Sequence, residues 1–291
     1  MDPTKEIAMK SKDSIVEYEF VRAVAVLLVI LGHCNYYIYG MDVPPSTGTS
    51  IVNIVTSILY HFHMPLFMAL SGCLFYYGIK KKGLTPFSPF VKKKMKRLIV
   101  PFLTVTTFFA VPIYVLSDHY LGLPIKIDDI IQRYYLMFKY TRFYMWFLQA
   151  LFLIFIVAWG IEKHHLRRNP YVFFLVLLVV SAIGRYMRWH ELNLLNISQA
   201  MMYLVWFYCG FYFEKYRMEA NRFIKKRLPL TAIFVFILLY CLIEVCWGTI
   251  SACLPFSRLV GYAYYYVMAF LGIALTYSLC YRLINITPPI C

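Results

Sequence analysis

The sequence predicts an all-α, polytopic bundle of transmembrane helices. Hydrophobic residues make up 61% of the 291 residues, and the mean hydropathy of +0.64 is far above that of a soluble globular chain. Most of the apolar residues fall in runs long enough to cross a bilayer core of ~30 Å, separated by short polar segments. The fifth run is short unless residues 184–187 extend it. The runs cover residues 20–37, 51–77, 98–116, 143–161, 171–183, 197–213, 228–247 and 259–281.

The distribution of basic residues orients these eight spans. With the N-terminus inside, the inner segments carry 21 of the 29 Lys and Arg residues and the outer loops carry 7, while Arg22 lies in the first span. This bias follows the positive-inside rule and places both termini and the basic segment 80–97 in the cytoplasm. The net charge of +15 therefore reflects topology, and no nucleic-acid partner is predicted. Residues 1–19 form a cytoplasmic tail without a cleavable signal, and residues 20–291 form one membrane domain.

The eight cysteines do not predict a metal centre. They show neither a CxxC pattern nor a Cys/His spacing suited to a metal. Several lie in or next to apolar runs, where free thiols pack as small hydrophobic side chains. These are Cys34, Cys73, Cys209, Cys241 and Cys246.

The first span, FVRAVAVLLVILGHCNYY, carries Arg22 near one end and His33 towards the other. A charged side chain at the centre of a spanning helix costs at least ~2.5 kcal/mol, which makes such residues functional candidates. Eleven helical steps of ~100° end roughly 20° past three full turns, with a rise of ~16 Å. Arg22 and His33 therefore share one helix face at two depths. The alternative for Arg22 is an anchor that extends to the membrane interface.

The second span contains HFHMPLFMALSG, which places His61 and His63 at a depth similar to that of His33. Pro65 can kink the helix, and Ser71 with Gly72 gives a small surface suited to close helix packing. A buried neutral histidine accepts a proton readily, so these residues predict an active-site cavity. The alternative is that His61 and His63 only form hydrogen bonds with neighbouring helices.

A basic block, VKKKMKRLIVP, precedes the third span on the predicted inner side and includes Lys94 and Arg97. Such a block can anchor the chain on the cytoplasmic side or contact anionic lipid. It can also bind a phosphate-rich cytoplasmic ligand, because Lys and Arg are strong donors to phosphate.

Four motifs in order resemble acyltransferase family three, the bacterial membrane O-acyltransferases that modify cell-surface glycans. They are Arg22-x10-His33, HFHMPLFMALSG, KKKMKRLIVP and YMWFLQALFLIF in the fourth span. The likeness covers about residues 18–281, and the short, weakly basic outer loops look most similar to the branch around fucose 4-O-acetylases.

The resemblance implies a role for each matching residue. His33 is the implied catalytic residue, as a general base or as a transient carrier of the acyl group, and Arg22 helps to hold the acyl donor. Ser71 and Gly72 match the family's Ser-Gly pair. Lys94-x-x-Arg97 is a partial match to the usual Arg-x-x-Arg and is the implied acyl-donor-binding pair.

The implied reaction takes an acyl group, with acetyl expected, from acetyl-CoA or another acyl-CoA at the inner side. The acceptor is a sugar hydroxyl of a glycan at the outer side. The implied location is the bacterial cytoplasmic membrane, with the lipid bilayer as a partner and no metal.

Two other readings are compatible with the sequence. One is a transporter or flippase of a glycan intermediate, with Arg22 and the histidines along the path. A transporter has no reason to combine an inner phosphate-binding block with an outer histidine. The other is an inactive, truncated relative, because the family usually has more spans than the eight predicted here and the chain stops at NITPPIC.

Overall fold

The computed structural model describes residues 17–33, 47–120, 127–139, 145–227, 238 and 257–286. Within these ranges every regular element is helical, and no β-strand occurs. The all-α prediction is confirmed. The helices are α1 (17–33), α2 (Thr47–Lys82), α3 (87–120), α4 (Ile127–Lys139), α5 (Trp146–Lys163), α6 (Pro170–Trp189), α7 (Ile197–Lys215), α8 (Arg217–Arg227) and α9 (Ser257–Ile286).

The described part of the chain contains five helices that are long and apolar enough to cross a membrane. They cover Val55–Lys82, Phe87–Ile113, Trp146–Lys163, Pro170–Trp189 and Val260–Ile284. The chain is therefore a multi-pass membrane protein. The short fifth apolar run is extended by α6, which continues to Trp189. The predicted seventh span, 228–247, lies outside the described residues except for 238, as do Cys34, Cys241 and Cys246.

Helices occupy several segments that the sequence prediction treated as polar, and α2 and α3 begin before the predicted spans 51–77 and 98–116. Helix α1 already includes residues 17–19, which were expected in the polar tail, and α8 forms within the basic segment that follows α7. The polar stretch between the third and fourth spans contains α4. Its exposed apolar side chains Ile127, Ile131 and Tyr135 recur every four residues. This spacing gives one apolar helix face, which a search for long apolar runs does not detect.

Helix α3 is interrupted by two π-type turns, Met95–Ile99 and Thr106–Ala110. Each turn ends two residues before a proline, Pro101 or Pro112. Proline lacks an N–H donor, and its ring collides with the carbonyl four residues earlier in a regular α-helix. A wider turn just before the proline relieves this collision, so the chain crosses both positions without ending the helix.

The chain forms two compact units, one from residues 1–71 and 212–291 and the other from residues 72–211. In the first unit, Met268 of α9 is the centre of an apolar cluster that includes Ile58 of α2 and Leu271 of α9. In the second unit, a cluster of phenylalanine rings joins α2, α3, α5 and α7, with ring centroids 5.4–6.4 Å apart. Its members are Phe75, Phe90, Phe155, Phe207 and Phe211.

Gly72 allows α2 to approach the backbone of α7 in the second unit. A Cβ atom at Gly72 would overlap the carbonyl oxygen of Phe207 and would lie 3.0 Å from the backbone nitrogen of Phe211. Backbone atoms cannot rotate away as a side chain can. Any side chain at this position must therefore push the two helices apart.

We expect Gly72→Ala to lower the free energy of unfolding by about 1–3 kcal/mol, the usual cost of overpacking. Thermal unfolding of the detergent-solubilised protein measures this change. Gly78→Ala is the matched control on the same helix, because a Cβ atom there meets no atom within 4 Å. Alanine also favours a helix over glycine by up to ~1 kcal/mol, so Gly78→Ala should be neutral or stabilising. Equal melting temperatures for the two variants would contradict the close approach.

Candidate active site

Arg22 and His33 lie at the edge of the packed face of α1. The buried face consists of Tyr18, Val21, Ala25 and Gly32. At ~100° per residue, Arg22 and His33 lie roughly 80° from the middle of that face. Arg22 is exposed and His33 is half-buried. Both side chains are therefore held by a packed helix and are still within reach of a ligand.

His33 belongs to a cluster of three rings with Tyr60 and His63 of α2. Its Nδ1 atom lies 2.9 Å from the Tyr60 hydroxyl, at hydrogen-bond distance. The ring centroids of His33 and His63 are 6.3 Å apart and those of Tyr60 and His63 are 5.0 Å apart, both in edge-on contacts. His63 is 3% exposed. The cluster thus joins one buried and one partly exposed imidazole through a tyrosine.

The hydrogen bonds of α2 identify which nitrogen of each α2 histidine holds a proton. The Nδ1–H of His61 donates to the carbonyl of Ser57 at 2.7 Å, and that of His63 donates to the carbonyl of Leu59 at 2.6 Å. A carbonyl oxygen only accepts, so Nδ1 must be protonated in both rings. In the neutral imidazoles, Nε2 then carries the lone pair that can accept a proton.

The structure separates the two histidines of α2. They are two residues apart and so project in directions that differ by roughly 160°. His63 contacts His33, whereas His61 contacts α9, with ring centroids 5.5 Å from Tyr264 and 6.3 Å from Tyr265. The three histidines, which the sequence places at a similar depth, do not form one cluster.

Ser71 and Gly72 follow on α2, and both have partners within helices. The Ser71 hydroxyl donates to the carbonyl of Phe67 at 2.9 Å, one turn earlier. Gly72 faces the backbone of α7. Ser71 therefore bonds to the backbone of its own helix, and Gly72 packs against α7.

Lys94 and Arg97 lie in α3 at the first π-type turn. The Lys94 Nζ atom is 3.1 Å from the centroid of the Phe155 ring and 5.5 Å from that of Phe90, which are cation–π contacts. Arg97 is exposed, as are the neighbouring Lys93 and Lys96. The ammonium of Lys94 is therefore held against aromatic rings beside a surface rich in accessible cations.

The model of a family described as an acyltransferase domain, acyltransferase family three, matches residues 15–289. The chain belongs to acyltransferase family three. Comparison with curated proteins and with solved structures found no match. The family assignment and the apolar helices together make this chain a membrane acyltransferase.

A second polar cluster in this acyltransferase holds the start of α1 in place. The Arg217 guanidinium of α8 pairs with the Glu17 carboxylate, which also accepts a hydrogen bond from Tyr277 of α9 at 3.3 Å. The Tyr18 hydroxyl donates to Glu214 of α7. Four helices are thus tied together at the end of α1 nearest Arg22.

Burial by itself would lower the pKa of Arg217. The surrounding Tyr18, Glu17, Tyr277 and Glu214 groups outweigh that effect and raise the pKa above its ordinary value. Arg217 is therefore a permanent cation in a largely buried site, where it balances the charge of neighbouring carboxylates.

The sequence prediction did not include Tyr60, Glu17 or Arg217. Tyr60 lies three residues before His63, so helical spacing places both on one side of α2 and could have indicated it. Glu17 and Arg217 are 200 residues apart. No local pattern in the sequence could have paired them.

Proposed function

We propose that this acyltransferase moves an acyl group, specifically acetyl, from acyl-CoA to a hydroxyl of a cell-surface or exported glycan. The observation that carries the proposal is the cluster of His33, Tyr60 and His63 in a membrane protein of this family. The proposed location is the bacterial cytoplasmic membrane, with the donor used from the inner side and the acceptor modified at the outer side.

In the proposed reaction, His33 is the general base. When its Nδ1–H donates to the Tyr60 oxygen, Nε2 is the nitrogen that can take the proton of the sugar hydroxyl. The hydroxyl oxygen forms a bond to the thioester carbonyl carbon, and the C–S bond breaks. The proton on His33 then passes to the leaving thiolate. Tyr60 acts as a positioning residue that fixes the orientation of the His33 ring.

A second route uses the same residue as an acyl carrier. The lone pair of His33 attacks the thioester carbonyl carbon, and the C–S bond breaks. The CoA thiolate takes the N–H proton that the acylated imidazolium gives up. The sugar hydroxyl oxygen then bonds to the acyl carbon, the C–N bond to the imidazole breaks, and the hydroxyl proton returns to His33. Both routes need an accessible and well-oriented His33, and the half-buried ring beside Tyr60 is suited to either.

The donor contacts that we propose are cationic. Arg22 is exposed and, among the residues that the structure describes, makes no hydrogen bond or ion pair, so its guanidinium is available to the acyl donor. Exposed Arg97 and the adjoining Lys94 supply donors for the phosphates of CoA. Each charge-assisted hydrogen bond of this kind typically contributes about 1.5–3 kcal/mol.

We expect Arg22→Ala to weaken acetyl-CoA binding roughly 10- to 100-fold, which corresponds to the loss of one such bond. Isothermal titration calorimetry of the purified protein in detergent measures the affinity. Arg22→Lys keeps the charge but loses the planar fork of donors, so its loss should be smaller. A small and equal effect of both changes would return Arg22 to the role of an interfacial anchor.

The same titration tests the basic block with a matched set of variants. Arg97→Ala removes an exposed cation, while Lys94→Met removes the charge but keeps an unbranched apolar chain against Phe155. Lys82→Ala, at the exposed end of α2, is the control for a general loss of positive charge. Absence of acetyl-CoA binding in the unaltered chain would refute the proposal and leave a transporter or an inactive relative as the alternatives.

A further inference from the structure

A cavity in the second unit lies between α5, α6 and α7. It has a volume of about 840 Å³. Its walls are apolar along most of their length, with side chains such as Leu153, Val157, Val176 and Met201. Of the three helices that line it, α5 and α6 are among the helices long and apolar enough to cross a membrane. The third, α7, coincides with the predicted sixth span.

The polar lining residues of the cavity are confined to one end. They come from the segment that joins α5 to α6 and consist of His164, His165, Arg168 and Asn169. Charge distribution in the sequence predicts that this segment faces the cytoplasm. The cavity is thus an apolar groove with a polar mouth at the level where lipid headgroups lie.

The mouth has an excess of positive charge. The carboxylate of Glu162 is occupied by a two-pronged ion pair with Arg167, with both N–O distances 2.6 Å. The Arg167 guanidinium also lies over the Phe211 ring, 4.6 Å from its centroid. Arg168 is exposed and has no ion pair in the described part of the chain. Its guanidinium is left to bind an external anion.

Asn169 contributes to the same end of the groove. Its side-chain oxygen caps α6 by accepting hydrogen bonds from the backbone N–H groups of Tyr171 at 3.0 Å and Val172 at 3.3 Å. The oxygen is therefore engaged, and the amide of Asn169 can offer only N–H donors to a ligand. The donors at the mouth thus favour an anionic or acceptor-rich group.

Along α5, the lining of the groove is at least as long as one leaflet of a bilayer. From Leu153 to His164, which follows the last residue of α5, the chain advances eleven residues, a rise of ~16 Å. One leaflet contributes half of a hydrocarbon core of ~30 Å. Exposed Val157, Val172 and Val176 form part of the wall, so an acyl chain can enter from the side.

We propose that this groove binds one anionic glycerophospholipid of the cytoplasmic leaflet. An acyl chain occupies the apolar length, and the phosphate group lies at the mouth against Arg168, with the histidines and the Asn169 amide beside it. The lipid holds α5, α6 and α7 together from the membrane side. None of the residues that line the groove belongs to the proposed donor-binding set or to the His33 cluster.

Native mass spectrometry of the full chain in detergent tests the proposal. The protein is offered an equal mixture of phosphatidylglycerol and phosphatidylcholine with identical acyl chains. We expect one bound lipid per chain, with a preference for phosphatidylglycerol of about five-fold or more. A single Arg near a membrane surface typically contributes ~1 kcal/mol to anionic lipid binding, which is roughly that factor.

Two pairs of variants separate the headgroup from the acyl chain. Arg168→Gln should lower the ratio of bound phosphatidylglycerol to bound phosphatidylcholine about five-fold. Arg188 is exposed at the other end of α6, so Arg188→Gln should leave this ratio unchanged. Val176→Trp should block the groove and reduce binding of both lipids. Val179→Trp is its control, because Val179 is similarly exposed on α6, 53% against 50%, but does not line the groove.

Several results would overturn the proposal. If the unaltered chain binds the two lipids equally, the anionic headgroup does not contribute to recognition. If Val176→Trp and Val179→Trp bind the same amount of lipid, the lipid does not occupy the groove. Displacement of phosphatidylglycerol by inorganic phosphate alone would identify a simple phosphate site. A change in oligomer mass with Val176→Trp, at constant lipid occupancy, would identify a second copy of the chain as the occupant.

Discussion

Replacement of His33 by alanine is expected to abolish acyl transfer, with a rate loss of about 10²- to 10⁴-fold, the usual contribution of a general base. His33 is the one histidine that is both partly exposed on the Arg22 face of α1 and hydrogen-bonded to Tyr60. The measurement is transfer of labelled acetyl from acetyl-CoA to the glycan fraction of the host envelope. Acetyl-CoA affinity and melting temperature should stay close to those of the unaltered protein.

Three further variants make this experiment specific. His190→Ala is the matched control, because His190 is exposed where α6 ends and its ring contacts Tyr186. Tyr60→Phe removes the hydroxyl that orients His33, so it should lower the rate less than His33→Ala does and leave donor affinity unchanged. His33→Gln keeps hydrogen-bonding capacity but cannot carry the proton. Near-normal transfer by His33→Ala would exclude this residue from the chemistry.

Replacement of Arg217 by alanine is expected to lower the free energy of unfolding by about 3–5 kcal/mol, because it leaves Glu17 buried without its cation. In a protein of this size, each kcal/mol lowers the melting temperature by roughly 2–4 °C, so the shift should be at least ~6 °C. Thermal unfolding of the protein in detergent measures it. Arg217→Lys should be intermediate, since lysine keeps the charge but cannot reproduce the guanidinium geometry.

The control for Arg217 lies on the same helix. Arg222 is exposed, and Arg222→Ala should change the free energy of unfolding by no more than ~0.5 kcal/mol. The double variant Glu17→Gln/Arg217→Met removes the unpaired charge together with its partner and should recover part of the loss. If Arg217→Ala unfolds at the same temperature as Arg222→Ala, the cluster does not hold α1 in place.

The sequence was sufficient for the class of fold and for the candidate residues of α1. Long apolar runs predict helices because a bilayer leaves the backbone no hydrogen-bond partner other than itself. The spacing of Arg22 and His33 predicts a shared face, and both residues do lie on one continuous helix. The amphipathic helix α4 was missed because its apolar residues are periodic rather than consecutive.

The arrangement of the site could not be predicted in the same way. The sequence grouped His61 with His63, yet His63 meets His33 and His61 meets α9. It treated Lys94 as a donor to phosphate, and the structure adds that its ammonium lies against Phe155, 61 residues along the chain. The contact between Gly72 and the backbone at Phe207 spans a still longer separation.

This difference has a physical reason: a bilayer constrains the position of each residue along the membrane normal and leaves the lateral arrangement of the helices open. Hydropathy and the count of basic residues are local properties, and by themselves they determined that the chain is helical and that it crosses the membrane repeatedly. They also predict a similar depth for His33, His61 and His63. Rotation of each helix about its own axis and the choice of neighbours depend on packing between distant segments. Only the tertiary structure therefore decided that Tyr60 and His63 face His33, that Arg217 neutralises Glu17, and that α5, α6 and α7 enclose a groove.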